Sequence, residues 1–184
     1  MHGTRTLIEA GFFFLRHGQS ESNVDGLIGG STDYALTDQG CAEAEAAGRR
    51  LRGRGVTEIH SSPLSRAHHT AQIAADAMGG VPVRIHGDLR ERNLGVWEGQ
   101  PISVLVRGVT PEGGEPVNSF ESRVIRSLDD IAAPPTVLVV AHAGVFRVLR
   151  RHLVGADVPE RAQNATPMAF GPGDAVGNWR VEPL

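Results

Sequence analysis

His17 and His142 stand where an imidazole is best placed to meet a ligand. Each follows directly on an apolar run, Phe12 to Leu15 in one case and Thr136 to Ala141 in the other. Such runs read as buried, parallel-type strands, and in open α/β sheets ligands bind beyond the carboxyl ends of the strands. If the two strands are neighbours, the two rings share one edge of the sheet. Arg16 precedes His17, and loop curvature at a strand end lets an arginine and a histidine converge on one anion. Gly18 permits a close backbone approach, and Gln19, Ser20 and Asn23 add polar groups.

The elements that must hold these residues alternate along the chain. Thr37 has the chemistry of an N-cap for an Ala/Glu/Arg helix ending near Gly53 and Gly55. Val56 to His60 reads as a strand. Ser62 and Pro63 read as the cap and first turn of a helix to about Met78, with Leu64, Ala67, Ala71 and Ala74 at helical spacing. Val81 to Ile85 reads as a short strand, the Gly- and Pro-rich residues 93–118 as loop, Ser119 to Ala132 as a helix, and Val145 to Leu153 as another. The tail from Thr166 holds strand-like pieces around Gly171, Gly173 and Gly177. This alternation predicts a mostly parallel sheet covered on both faces, in a single domain over residues 1–184.

Composition narrows the chemistry. All 18 basic residues are arginine. With no lysine there is no P-loop lysine, no Schiff base and no lysine nucleophile, so an anion site must rely on Arg forks, backbone amides or His. Cys41 is the sole cysteine, and the position six residues on, where a Cys-dependent phosphatase needs Arg, is Ala47. A lone cysteine excludes an intrachain disulfide, and a cytoplasmic location is expected. The net charge of −3 points to neither nucleic acid nor membrane as partner, and no apolar run is long enough to span a bilayer. His68 and His69 adjoin on the same helix and point about 100° apart, which suits structural or surface roles better than a shared metal. No carboxylate cluster offers Mg²⁺-type ligands, so neither metal nor resident cofactor is expected.

Residues 16–23, Arg-His-Gly-Gln-Ser-Glu-Ser-Asn, resemble the signature of the histidine phosphatase superfamily, the group that includes cofactor-dependent phosphoglycerate mutase. The resemblance continues through Asp33 to Thr37 and Gly40, through Ser61 to Ala67 with Thr70-Ala71, and through Leu89-Arg90-Glu91 with Gly95 and Trp97 to Gly99. It ends at Ala141-His142-Ala143-Gly144, where Ser-His-Gly-Gly is commoner. It implies a three-layer α/β/α sandwich with a mostly parallel central sheet. It assigns His17 as the nucleophile that becomes phosphorylated, Arg16 and Arg66 as the clamp on the phosphoryl oxygens, and His142 as a further donor to them. Glu91 would protonate the leaving oxygen and then activate water, which calls for a raised pKa that a nearby phosphate would supply. Gly18, Asn23, Gly30 and Ala143 are placed at the substrate.

Departures from the pattern favour one activity within it. Mutases of the family carry Ser or Thr where Gly29 stands, a substrate-contacting Tyr where Leu94 stands, and a Lys with an Arg pair in an insertion that here is short and holds only Arg107 between Glu98 and Arg123. These departures imply a phosphomonoesterase acting on a small phosphorylated metabolite, with specificity in a loop at about 93–120. A mutase-type phosphotransferase and a non-catalytic phosphate binder are the alternatives. The partner is a small-molecule phosphate ester; oligomeric state is not legible.

Overall fold

The computed structural model describes Leu7 and residues 11–131, 136–155, 162–173 and 179–184; Ala132 and Gly177 lie outside them. Six strands form one sheet: β1 Phe12–Arg16, β2 Glu58–Ser61, β3 Val83–Ile85, β4 Val137–Ala141, β5 Pro167–Pro172 and β6 Trp179–Pro183, in the order β3-β2-β4-β1-β5-β6. The first four in that order run parallel, and β5 and β6 add an antiparallel edge. The helices are α1 Glu21–Val24, α2 Asp38–Leu51, α3 Ser65–Met78, α4 Val117–Asp130 and α5 Ala143–Val154.

Strand alternation sends successive side chains to opposite faces, and both faces are covered. Phe12, Phe14, Val137 and Val139 pack with Phe120 and Val124 of α4 and Phe146 and Leu149 of α5. Leu15, Leu138 and Val140 pack with Ala47 and Leu51 of α2 and Ala67, Ala71 and Ala74 of α3. Every residue of β4 is buried, which is why its sequence is a solid apolar run. This is the three-layer arrangement expected from the sequence.

The register settles where the histidines meet. Arg16 pairs with Ala141 in the parallel β1–β4 ladder, and the His17 N–H donates to the Ala141 carbonyl at 3.0 Å. Both rings therefore leave the sheet at the same edge, with centroids 5.3 Å apart.

Thr37 caps α2 as expected, its hydroxyl accepting from Gly40 N–H at 3.0 Å. Ser62 is not the N-cap residue of the next helix, although its hydroxyl accepts from the Leu64 N–H at 3.3 Å. Its N–H extends the β2–β4 ladder to the Val140 carbonyl, its hydroxyl meets His142, and α3 starts at Ser65 with Leu64 as its uncapped N-cap. Helix α4 begins at Val117, earlier than expected, because Pro116 fixes the entering backbone. Helix α5 begins directly after His142. Residues 93–116 are irregular apart from short 3₁₀ turns at Gly95–Trp97 and Ile102–Val104, and Gly99, Gln100 and Ile102 pin them to Gly26 and Ile28 through backbone hydrogen bonds. No helix among the described residues is long and apolar enough to cross a membrane.

Candidate active site

Beyond the carboxyl ends of β1, β2 and β4 lies a cavity of about 280 Å³. Arg16, His17, Asn23, Gly30, Arg66, Glu91 and Ala143 all line it. His142 is buried behind that lining, and Gly18 does not line it either. The expected close approach of Gly18 is to protein instead: a Cβ there would sit 2.3 Å from the Gly40 carbonyl oxygen.

His17 is only 4% exposed, and its Nδ1 lies 2.7 Å from the Gly18 carbonyl oxygen. A carbonyl only accepts, so Nδ1 carries the proton and Nε2 keeps its lone pair. Burial pushes the His17 pKa well below its usual 6.5, and the guanidiniums of Arg66 and Arg16 lower it further, against a smaller opposing effect of the Gly18 carbonyl. The ring is thus neutral at pH 7 and has a free nitrogen beside two cations.

Arg66 is buried, and Nη1 and Nη2 donate to the carbonyls of Thr32 and Gly30 at 2.8 and 2.7 Å. Those two bonds fix the plane of the fork and leave N–H groups for an anion. Arg16 donates to the Ala162 carbonyl at 3.0 Å. His142 Nε2 lies 2.8 Å from the Ser62 hydroxyl, and its Nδ1 has no hydrogen-bond partner among the described residues. Burial, then Arg66, His17 and Arg16, push the His142 pKa well below 6.5 as well. Glu91 accepts from Gly144 N–H and from its own neighbour Arg92 N–H, both at 2.8 Å, so its carboxylate sits at the N-terminus of α5. Although the chain is net negative, the described residues lining the cavity include six arginines and two glutamates, which makes it a cationic basin.

A neutral imidazole held in one tautomer beside two arginines is an arrangement suited to phosphoryl transfer through histidine. The model of the histidine phosphatase superfamily (branch 1) matches residues 12–169. The chain belongs to the histidine phosphatase superfamily. A 2,3-bisphosphoglycerate-dependent phosphoglycerate mutase of Mesorhizobium japonicum is 35% identical over 175 residues, covering 83% of this chain and 82% of the relative. A mycobacterial glucosyl-3-phosphoglycerate phosphatase solved with VO3 superposes with a TM-score of 0.79 at 28% identity, over 95% of this chain and 98% of that one. The alpha-ribazole phosphatase of Shigella flexneri gives 0.77 at 25% identity, over 95% of each chain.

Within this histidine phosphatase fold, the supporting roles of several residues were not legible in the sequence, even where the residue itself stood in a motif, as Thr70 and Glu98 do. Asn164 donates to the His17 carbonyl and to Asn23 Oδ1 at 2.9 and 3.0 Å. Thr70 takes the Gly18 N–H at 3.0 Å and returns its own hydroxyl to the Arg66 carbonyl. Arg123 donates to the carbonyls of Asp88, Arg90 and Glu91 and pairs bidentately with Glu115. It therefore holds the loop that presents Glu91. Glu98 accepts from the N–H and hydroxyl groups of both Ser31 and Thr32 and from Leu94 N–H. It crowds Gly30, which has φ +50 and where a Cβ would lie 2.2 Å from Glu98 Oε1. The Gly30 and Thr32 carbonyls that hold Arg66 are thus held in turn by Glu98.

Burial alone would raise the Glu98 pKa, but the hydrogen bonds from Thr32, Leu94 and Ser31 outweigh it and hold the carboxyl below 4.5. A depressed folded-state pKa adds stability above the unfolded value and loses it as pH falls through the folded one. Thermal melts should therefore show a Glu98 contribution at pH 7 that fades below pH 4.5, and Glu98→Gln should flatten that acid limb. An acid limb of unchanged steepness in the variant would contradict the assignment.

Gly144 is the counterpart beside Glu91. A Cβ there would sit 2.1 Å from Glu91 Oε1, so Gly144→Ala must displace the carboxylate. A misplacement of about 1 Å in a reacting group costs up to about 100-fold. Expected is a loss of that order in kcat/KM for an alkyl phosphate, with thermal stability nearly unchanged and p-nitrophenyl phosphate little affected. A uniform loss for both substrates would indicate general damage to the site.

Proposed function

We propose that this chain is a phosphomonoesterase that works through a phosphohistidine at His17. The observation that carries the reading is the Nδ1–H bond to the Gly18 carbonyl, which leaves Nε2 unprotonated on a ring that lines the cavity together with Arg16 and Arg66. In the first step Nε2 forms a bond to phosphorus while the ester P–O bond breaks, and Glu91 passes its proton to the departing alcohol oxygen. The arginines bear the charge spread over the phosphoryl oxygens. Of the His142 ring nitrogens, Nδ1 is the one left to donate to those oxygens. In the second step Glu91 takes a proton from water as the water oxygen attacks phosphorus. The P–Nε2 bond then breaks, releasing inorganic phosphate and restoring neutral His17.

Hydrolysis is preferred over mutase chemistry because Leu94 lines the cavity where the mutase pattern has a tyrosine, and Gly29 supplies no hydroxyl. The names of the curated relatives keep the mutase reading as the competitor. The two separate in one assay. Purified protein with either monophosphoglycerate should release phosphate faster than it interconverts the two, and a panel of phosphate esters should be hydrolysed in the presence of EDTA. No cluster of three or more metal-ligating side chains occurs among the described residues. Interconversion outrunning phosphate release would establish a mutase, and activity lost in EDTA and restored by Mg²⁺ would overturn metal independence.

A further inference from the structure

Away from His17 the cavity changes character. Its walls there are Leu94, Ile102, Leu105 and Val106 from the loop at 93–120, with Phe120 of α4 and Val148 of α5. Among the described residues that line it, the neutral polar side chains apart from His17 are Ser22 and Asn23. Ser22 is hydrogen-bonded to the Ser20 hydroxyl, and Asn23 is tied through Asn164 to the His17 carbonyl, so both belong to the phosphoryl corner. Along the apolar walls a polyhydroxylated leaving group would find no neutral polar side chain beyond those of the phosphoryl corner, and hydroxyls desolvated against those walls would go uncompensated. An apolar group would gain: Ile102 and Val106 are 51% and 55% exposed and have surface to bury.

The rim is cationic: Arg92, Arg107, Arg147 and Arg151 all line it. Arg92 is committed to the carbonyls of Glu115 and Val109 and the Thr110 hydroxyl, and Arg151 pairs with Glu121. Arg107 also lines the cavity, is exposed, and makes no hydrogen bond or ion pair among the described residues. Taking the phosphatase reading as given, we infer that the substrate is a phosphate monoester of a largely apolar alcohol with an anionic group at its far end, and that Arg107 reads that group.

Binding of non-hydrolysable phosphonates, measured by calorimetry, tests this without turnover. Along methyl-, butyl- and octylphosphonate, Kd should fall by up to about fourfold per methylene that enters the slot. A terminal carboxylate on the octyl chain should tighten binding by about two- to fivefold, the range for a partly exposed ion pair. Arg107→Ala should weaken the carboxylate-bearing ligand by that factor more than it weakens plain octylphosphonate. Equal Kd along the alkyl series, or tighter binding of a polyhydroxylated phosphonate of equal length, would refute the apolar slot. A carboxylate gain that survives in Arg107→Ala would refute the role of Arg107. Phosphate release from p-nitrophenyl phosphate, measured in parallel, keeps the two readings apart. Length-dependent binding without release defeats the phosphatase alone, and release with flat binding defeats the slot alone.

Discussion

Replacing His17 with alanine is expected to lower kcat/KM for every phosphate monoester by about four orders of magnitude or more, the scale on which loss of a covalent nucleophile acts. The protein should also lose all acid-labile phosphate after quenching with a labelled substrate. No lysine exists to substitute, and Cys41 lies on α2, outside the cavity lining. Among the described residues, the ring of His142, 5.3 Å away, is the one imidazole that contacts the His17 ring, and it is buried behind the lining with Nε2 paired to Ser62. Because Nδ1 of His17 is committed to Gly18, the phosphoryl group in the parent protein should sit on Nε2, which phosphorus NMR of the trapped protein can read. The pH profile has a definite sign. Burial and two arginines lower the His17 pKa, so protonation does not remove the nucleophile as pH falls through 6.5. The burst of labelled enzyme with an activated ester should persist at pH 6. Label that remains in His17→Ala, or a burst that titrates away at pH 6.5, would place the nucleophile elsewhere.

What the sequence revealed of this site depends on how far each residue acts along the chain. Thr37 caps a helix through a partner three residues away, and a local pattern is enough to find it. The edge shared by His17 and His142 was legible because both follow buried apolar runs, but their adjacency depended on which strands pair, and only the β1–β4 register decides that. Ser62 looked like a cap because serine before proline at a helix start usually is one. Tertiary structure overrode the local preference by drawing its N–H into a strand ladder and its hydroxyl to His142. Asn164 and Arg123 left no trace in the pattern. Asn164 acts on a residue 147 positions away, and Arg123 works through backbone carbonyls, whose identity no side chain announces. Glu98 was visible within the acid-loop motif, yet its task, holding the loop that holds Arg66, required the fold.

Glu91→Gln should distinguish substrates by their leaving groups. Glu91 reaches the cavity from a different loop than the two arginines and two histidines, with its carboxylate against the Gly144 N–H. That placement suits a group that serves the departing oxygen and leaves the phosphoryl oxygens to others. A general acid contributes about 10²- to 10⁴-fold where the leaving group needs its proton and little where it does not. An alkyl alkoxide needs the proton, whereas p-nitrophenolate departs almost unaided. The variant should therefore lose about 10²-fold or more in kcat/KM for an alkyl phosphate and far less for p-nitrophenyl phosphate. The comparison belongs on kcat/KM or on the burst of labelled enzyme, since both report the first step. In kcat the difference can vanish: in the proposed second step Glu91 also activates water, so its loss would make dephosphorylation limiting for every substrate alike. The same reasoning predicts that the variant accumulates phosphohistidine when given the aryl ester, because formation stays fast while breakdown slows. Glutamine keeps one oxygen for the Gly144 N–H but leaves the Arg92 N–H, which Glu91 Oε1 accepts, without that acceptor, so thermal melts run alongside separate the loss of proton transfer from any loosening of the loop. Equal losses for the two substrates in the first step, with no accumulation of phosphoenzyme, would assign Glu91 to orienting the site instead.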